Sequence, residues 1–181
     1  MDAQTRRDRF EEIAPSLIEP LRRFLARRTD PATADDVFSE TLLVCWRRLD
    51  ELPDEPLPWA YGVARNCLAN VQRGVRRQER LAAKIAVVDP PPQAAAGPGA
   101  GEGAGDGDLA EALAALRPEE AELLRLWAWE QLSPTEIAAV LEITPNAASI
   151  RLHRAREKLR EQLRKIEQPA GHEESRGRRK P

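Results

Sequence analysis

The chain has 181 residues, of which 41% are hydrophobic and 32% charged, with a net charge of -2 and only two cysteines and two histidines. No apolar run approaches the roughly 20 residues that cross a bilayer, and two cysteines and two histidines without close clustering exclude a recognisable metal site. We therefore expect one or two small domains in the cytoplasm, with no metal and no cofactor.

The first 50 residues predict two helices. In RFEEIAPSLIEPLRRFLARR, apolar residues recur at helical spacing from Phe10 to Leu25. Pro15 and Pro20 lie inside this pattern and should break or kink the helix. The next segment, DPATADDVFSETLLVCWRRLDEL, places its apolar residues on one side of a second helix.

A third helix is predicted from about Pro58 through Ala83, and it is basic. Residues 61–84 contain six basic residues and one acidic residue. No alternation typical of β-strands occurs anywhere in the chain, so the predicted fold class is all-α.

Two amides and two aromatic residues on this third helix suggest a ligand. Asn66 and Asn70 lie one turn apart on a face that could hydrogen-bond bases. Trp59 and Tyr61, near the helix start, are either stacking groups for unpaired bases or, more commonly at such positions, core residues. Single-stranded DNA is therefore one candidate ligand.

A segment rich in Pro, Gly and Ala, VDPPPQAAAGPGAGEGAGDGD, follows the third helix. Such a composition cannot bury enough apolar surface to offset the entropy of ordering. It predicts a flexible linker between two small helical domains. The predicted ranges are an N-terminal domain over residues 1–85, a linker over 86–108, a C-terminal domain over 109–166 and a disordered tail over 167–181.

The C-terminal domain contains a capped pair of helices. In LSPTEIAAVLEITPNAASIRLHRAREKLRE, Ser133 and Glu136 form an S-x-x-E capping box with Pro134 at the first helical position. After the turn EITP, Thr144 caps a second helix that starts at about Pro145. Two short helices joined by a tight turn are typical of a helix-turn-helix.

The second helix of this pair is strongly basic on one side. Residues 146–165 hold seven basic and two acidic residues. Ala148, Leu152 and Ala155 form a packing stripe, and the charged residues lie on other faces. This arrangement favours insertion into a DNA major groove. The residues expected at duplex DNA are Ser149, Arg151, His153, Arg154 and Lys158.

Charge alone leaves a second interpretation open, since both basic segments could be solvated helix faces that contact no ligand. Two compact basic blocks in an otherwise acidic chain nevertheless permit two local contacts with a polyanion while the remaining surface repels it. This layout disfavours indiscriminate coating of nucleic acid.

Three segments in this order resemble bacterial sigma factors of the extracytoplasmic-function (ECF) group, within the sigma-70 family. They are ADDVFSETLLVCWRRLDEL, PWAYGVARNCLANVQR and the helix-turn-helix segment quoted above. The resemblance implies a promoter-specificity subunit of RNA polymerase that makes and breaks no bonds itself. It also implies core RNA polymerase and promoter DNA as partners, and an anti-sigma factor as a further one.

The resemblance also implies roles for individual residues. The acidic helix would bind the clamp helices of the largest polymerase subunit, the third helix would bind the melted minus-ten element, and the helix-turn-helix would bind the minus-thirty-five element. The implied polymerase contacts are Asp36, Ser39 and Glu40, and the implied minus-ten contacts are Arg65, Asn66, Asn70, Arg73, Arg76 and Arg77. The sequence departs from the family pattern at Ser39, Gly62, Glu142 and Ser149.

Two other functions compete with this one. The first is a stand-alone helix-turn-helix regulator whose N-terminal domain senses a ligand or dimerises. The second is a helical adaptor that uses its basic helices against acidic proteins. Dependence on core RNA polymerase separates the three, because only a sigma factor would need the enzyme in order to act.

Overall fold

In the computed structural model, residues 3–86 and 107–167 are described, and every regular element within them is helical. The all-α prediction is confirmed. None of the described helices is long and apolar enough to span a bilayer. The helices are α1 (Ala3–Ala26), α2 (Pro31–Arg47), α3 (Pro56–Ala86), α4 (Gly107–Ala114), α5 (Pro118–Ala128), α6 (Pro134–Leu141) and α7 (Pro145–Glu167), with a short 3-10 turn over Leu49–Glu51.

The helices form two groups, which we call the N-terminal bundle (α1–α3) and the C-terminal unit (α4–α7). The predicted linker over residues 86–108 falls almost wholly outside the described residues, since only its first residue and its last two lie in α3 and α4. The predicted tail also falls outside them after Glu167.

Helix α1 continues through Pro15 and Pro20, so of the predicted break or kink at these prolines the break does not occur. Each proline removes one backbone hydrogen bond and costs a helix interior roughly 3 kcal/mol. The compensation comes from packing, because Leu17, Leu21 and Phe24 on the inner face of α1 are completely buried.

The helix starts follow the predicted chemistry. The Ser133 hydroxyl accepts a hydrogen bond from the Glu136 backbone N–H (3.3 Å), and the Glu136 carboxylate accepts one from the Ser133 backbone N–H (2.7 Å). The Thr144 hydroxyl accepts one from the Ala147 N–H (3.2 Å). Both caps of the helix-turn-helix are therefore present, and they fix where α6 and α7 begin.

The turn between α6 and α7 passes through an uncommon backbone conformation. Glu142 caps the C-terminus of α6 with φ 54° and ψ 43°, in the left-handed region. Its backbone N–H donates to the Ala138 carbonyl, and the Ile143 N–H donates to the same carbonyl (3.0 Å). Glycine is the residue that occupies this position at least cost, so a β-carbon here strains the turn.

The core of the protein extends across both groups of helices. Within the bundle, the rings of Phe24 and Tyr61 pack with their centroids 4.9 Å apart. Helix α6 packs directly on α3, and its buried Ile137 and Val140 belong to the same continuous apolar cluster. The N-terminal bundle and the C-terminal unit therefore share one core in this conformation.

The two cysteines, Cys45 and Cys67, are free. Cys45 is fully buried, and burial raises the pKa of its thiol to about 11. Cys67 is partly buried, and burial also raises the pKa of its thiol. A thiol with a raised pKa is a poor nucleophile and metal ligand at neutral pH, so both cysteines serve packing.

The strain at Glu142 can be measured by two substitutions that both remove the carboxylate. We expect Glu142→Gly to be more stable than Glu142→Ala by about 1 kcal/mol, because only alanine retains a β-carbon in the left-handed conformation. Chemical denaturation of both variants measures the difference. Equal stabilities would contradict a left-handed residue at this turn.

Candidate nucleic-acid interface

Helix α7 separates its packing side from an exposed basic side. Ala148, Leu152 and Ala155 are buried against the rest of the C-terminal unit. The side chains predicted to contact duplex DNA all lie on the exposed surface of α7, and they are Ser149, Arg151, His153, Arg154 and Lys158. Packing on one side thus orients the charge on the other.

The exposed residues of α7 differ in how free they are. Among the described residues, Arg151, His153 and Arg154 have no hydrogen-bond or ion-pair partner. Lys158 instead forms an ion pair with Glu120 of α5, and this hydrogen bond lowers the pKa of the Glu120 carboxyl. Arg151 and Arg154 can therefore bind phosphate without breaking an existing contact, whereas Lys158 cannot.

Two further side chains near this surface have contacts within the C-terminal unit. The Ser149 hydroxyl donates to the Pro145 carbonyl (3.0 Å), one turn back along α7. The Arg156 guanidinium lies over the ring of Trp127, 4.5 Å from its centroid. Arg156 thus connects α7 to α5, although its charge remains exposed.

Helix α3 extends past the bundle as a basic arm. Its inner face ends near Leu68, and every side chain from Val71 to Arg80 is exposed. Val71, which the apolar pattern suggests for the core, is 40% exposed. The arm presents three of the predicted minus-ten residues, Arg73, Arg76 and Arg77.

The remaining predicted minus-ten residues lie where this arm joins the bundle. Arg65 is half-buried, and Asn66 and Asn70 are exposed on the same side of α3. The Asn70 side-chain oxygen accepts a hydrogen bond from Arg73, one turn further along the helix. The two amides therefore lie together on one exposed side of α3, as the one-turn spacing predicts.

The two aromatic residues at the start of α3 face the core. Tyr61 is 3% exposed, and burial raises the pKa of its hydroxyl to about 12, with the nearby Glu130 carboxylate adding to the effect. Trp59 is partly buried and packs against the same core. The core interpretation of these residues is therefore confirmed for Tyr61, and Trp59 contributes most of its surface to packing as well.

The acidic residues of α2 lie on an exposed surface. Asp36, Ser39 and Glu40 are all exposed, on the side opposite the buried Val37 and Phe38. The Ser39 hydroxyl donates to the Asp35 carbonyl (2.9 Å) within the helix. Two carboxylates on one helix face provide a docking surface for basic groups of a protein partner.

The structure brings the candidate DNA surface on α3 next to the turn of the helix-turn-helix. The Asn66 amide of α3 donates a hydrogen bond to the Glu142 carboxylate in the turn between α6 and α7 (3.3 Å). Elsewhere in the contact between the two helical groups, Arg28, in the turn that follows α1, pairs with Glu122 and Glu130. Neither pairing is visible from sequence, because the partners are separated by 76 to 102 positions and lie in different helical groups.

Known proteins match both the C-terminal unit and most of the whole chain. A family profile described as "Sigma-70, region 4" matches residues 106–159. RNA polymerase sigma factor CarQ of Myxococcus xanthus is 32% identical over 165 residues, which cover 88% of this chain and 92% of that protein. The RNA polymerase sigma-E factor of Streptomyces avermitilis is 30% identical over 157 residues, which cover 85% of this chain and 84% of that protein.

The fold is also similar to a solved structure. The sigma factor RpoE of Bartonella quintana, in a complex with the anti-sigma factor NepR, superposes with a TM-score of 0.57 at 21% identity. The match covers 86% of this chain and 96% of that one. At this identity the likeness supports the helical architecture alone.

Proposed function

Because this chain belongs to the ECF sigma factors of the sigma-70 family, we propose that its two basic surfaces bind the two elements of a promoter while the chain is held by RNA polymerase. As a sigma factor it directs promoter-specific initiation of transcription. The observation that supports the division of labour is the pair of exposed basic helix faces, one on α3 with the exposed Asn66 and Asn70 and one on the helix-turn-helix.

The C-terminal unit would read the minus-thirty-five element as duplex. The major groove of duplex DNA is wide enough to admit an α-helix such as α7, and the N-terminal turns of α7 carry the side chains that can reach base edges. In this proposal Ser149, Arg151 and His153 face the bases and Arg154 binds backbone phosphate, while Lys158 must first leave Glu120.

The basic arm of α3 would hold the melted minus-ten strand. Asn66 and Asn70 have both donors and acceptors for the edges of unpaired bases. The phosphates of the same strand would be bound by Arg65 and by the three arginines of the arm, Arg73, Arg76 and Arg77. Capture of bases after they leave the stack makes melting directional, since it stabilises only the open strand.

The acidic face of α2 would attach the chain to the polymerase. Asp36 and Glu40 offer two carboxylates on an exposed face, and Ser39 offers a short polar side chain between them. The chain itself carries out no bond chemistry in this proposal, and catalysis belongs to the polymerase. Such a function places it in the cytoplasm, at the nucleoid.

An anti-sigma factor is proposed as a further partner. The support is that the RpoE structure with a similar fold contains one. We also propose the domain ranges given above, residues 1–85 for polymerase docking and minus-ten binding and residues 109–166 for minus-thirty-five binding.

Run-off transcription with core RNA polymerase tests the function. We expect specific transcripts from a subset of genomic fragments when core enzyme and the chain are both present, and none with either one alone. An Asp36→Lys/Glu40→Lys variant should lose these transcripts because it reverses the charge of the docking face. A chain that binds duplex DNA tightly by itself, without any effect on core enzyme, would instead indicate a stand-alone regulator.

The role of α7 is tested by the salt dependence with which the chain, held by core RNA polymerase, binds a duplex fragment that carries the minus-thirty-five element. We expect Arg154→Ala to weaken binding and to reduce the slope of log K against log salt by about 1, the value for one lost phosphate contact. Arg160→Ala is the matched control, because Arg160 lies on the same helix and already pairs with Glu157. Identical slopes for wild type and Arg154→Ala would remove Arg154 from the interface.

The role of α3 is tested with a single-stranded minus-ten oligonucleotide and the assembled holoenzyme. We expect Asn66→Ala to weaken binding about threefold to tenfold, as for the loss of one hydrogen bond worth about 1 kcal/mol. Gln72→Ala is the control, because this exposed amide lies about 120° around α3 from Asn66. Equal losses in both variants would contradict a specific role for Asn66.

A further inference from the structure

The exposed face of α7 carries a large apolar side chain, Ile150, to which the proposed function gives no role. Ile150 is 45% exposed, whereas the other large apolar residues of α7 are buried or partly buried; these are Leu152, Leu159, Leu163 and Ile166. It lies within the first two turns of the helix, which begins at Pro145. Single apolar residues are common on protein surfaces and carry no meaning by themselves, so the position of Ile150 decides what it can do.

Ile150 lies in the middle of the exposed face of α7. Successive residues of an α-helix are about 100° apart around its axis, so Ile150 is about 160° from Ala148 and from Leu152, both of which are buried. Its neighbours in sequence, Ser149 and Arg151, lie about 100° to either side of it. A groove that contacts both of these neighbours must therefore also enclose Ile150.

We propose that Ile150 packs against the methyl group of a thymine in the major groove, and that it thereby makes thymine a preferred base of the duplex element. The inference rests on the proposed function of α7 and deepens it, because it assigns a base preference to one residue of the helix that enters the groove. Thymine is the base that presents a methyl group in the major groove, and apolar side chains read it by direct contact.

The direction of the Ile150 side chain suits this contact. Side chains of an α-helix point back toward its N-terminus, and the N-terminal residues of α7 are those that would approach base edges. Ile150 shares this part of the exposed face with Asn146, one turn before it, and with His153 and Arg154, one turn after it. An amide, an imidazole and a guanidinium therefore surround the isoleucine.

These surroundings favour duplex DNA over a protein as the occupant of the face. Within the described residues Arg154 has no ion-pair partner, so its charge is available for phosphate. Glu157, two turns after Ile150, already pairs with Arg160, which offsets its negative charge. A specific protein interface buries roughly 1,200 Å² or more, and one isoleucine enclosed by polar side chains offers far less apolar surface than such an interface uses.

An isoleucine at this position both attracts thymine and disfavours other bases. The contact removes apolar surface of Ile150 and of the methyl group from water, which stabilises the complex in proportion to the area buried. The side chain has no donor or acceptor, so the amino group of a cytosine or adenine placed against it would lose hydrogen bonds to water without replacement. Both effects widen the difference between the affinities for the right base and for the wrong ones, and this difference is the specificity.

Deoxyuridine tests the contact, because its base differs from thymine only by the absence of the methyl group. Duplexes are first selected from a random library by the full chain with core RNA polymerase and, in parallel, by the full chain alone at low salt. Each thymine of the enriched element is then replaced singly by deoxyuridine. We expect one of these replacements to weaken binding of the wild-type chain about fourfold, the effect of losing one buried methyl group.

Substitutions at Ile150 connect the methyl group to this side chain. Ile150→Ser should bind the thymine and deoxyuridine duplexes equally, because it leaves no apolar surface for the methyl group. Ile150→Val, which keeps a branched apolar side chain, should retain a preference for thymine. Ile18→Ser is the matched control, because Ile18 is an isoleucine of similar exposure (37%) on α1, and it should keep the full preference. Circular dichroism verifies the helical content of each variant.

The ratio of the two affinities decides the outcome, because a purely structural role of Ile150 would weaken binding to both duplexes alike. Two results would overturn the inference. One is an element in which no thymine methyl group matters to the wild-type chain, and the other is an unchanged preference for thymine in Ile150→Ser.

The same measurements separate this inference from the proposed function. A thymine preference that depends on Ile150 in the chain alone, in a protein that has no effect on core polymerase, would contradict the proposed function and support the contact. Stimulated transcription from an element whose thymines can all be replaced without loss would support the proposed function and overturn the contact. If the chain enriches no duplex either alone or with core polymerase, both fail.

Discussion

The approach of α6 to α3 is the constraint on which the rest of the described structure depends. Gly62 lets the two helices meet through backbone atoms, and this contact joins the apolar residues of both groups into one core. It also decides what is exposed, because it leaves the arm of α3 and the outer face of α7 in solvent. The buried charges around Arg28 then select one relative orientation of the two groups, since any other would leave them unpaired.

The positively charged side chains lie on helix faces that are not used for packing in the core. On α7 the small residues Ala148 and Ala155 allow close packing on one side, and on another side Arg151 and Arg154 have no ion-pair partner within the described part of the chain. On α3, Arg73, Arg76 and Arg77 follow the core residue Leu68, so that they lie on an arm that covers no core. A net-acidic chain can in this way offer two local sites for a polyanion, and its remaining acidic surface discourages binding elsewhere.

Much of this architecture could be predicted from the sequence, because local rules determine it. Ser133, Thr144 and the prolines that follow them specify where the helix-turn-helix begins, and helical periodicity specifies its buried side. The break allowed for at the prolines of α1 does not occur, because their cost is local while the compensating burial of Leu17 and Leu21 depends on tertiary packing. The contact of Asn66 with Glu142 could not be predicted, since no local pattern relates positions 76 residues apart.

Glu142 has a consequence for how this protein can change over generations. Glutamate and glycine codons differ by a single nucleotide, and at this turn such a change would relax the backbone and remove the carboxylate from Asn66 at the same time. The backbone of the turn therefore favours a change to glycine. Only an advantage of the glutamate side chain itself could maintain glutamate at this position in a lineage. At this turn the backbone conformation favours glycine and the hydrogen bond with Asn66 favours glutamate, so the two requirements act in opposite directions.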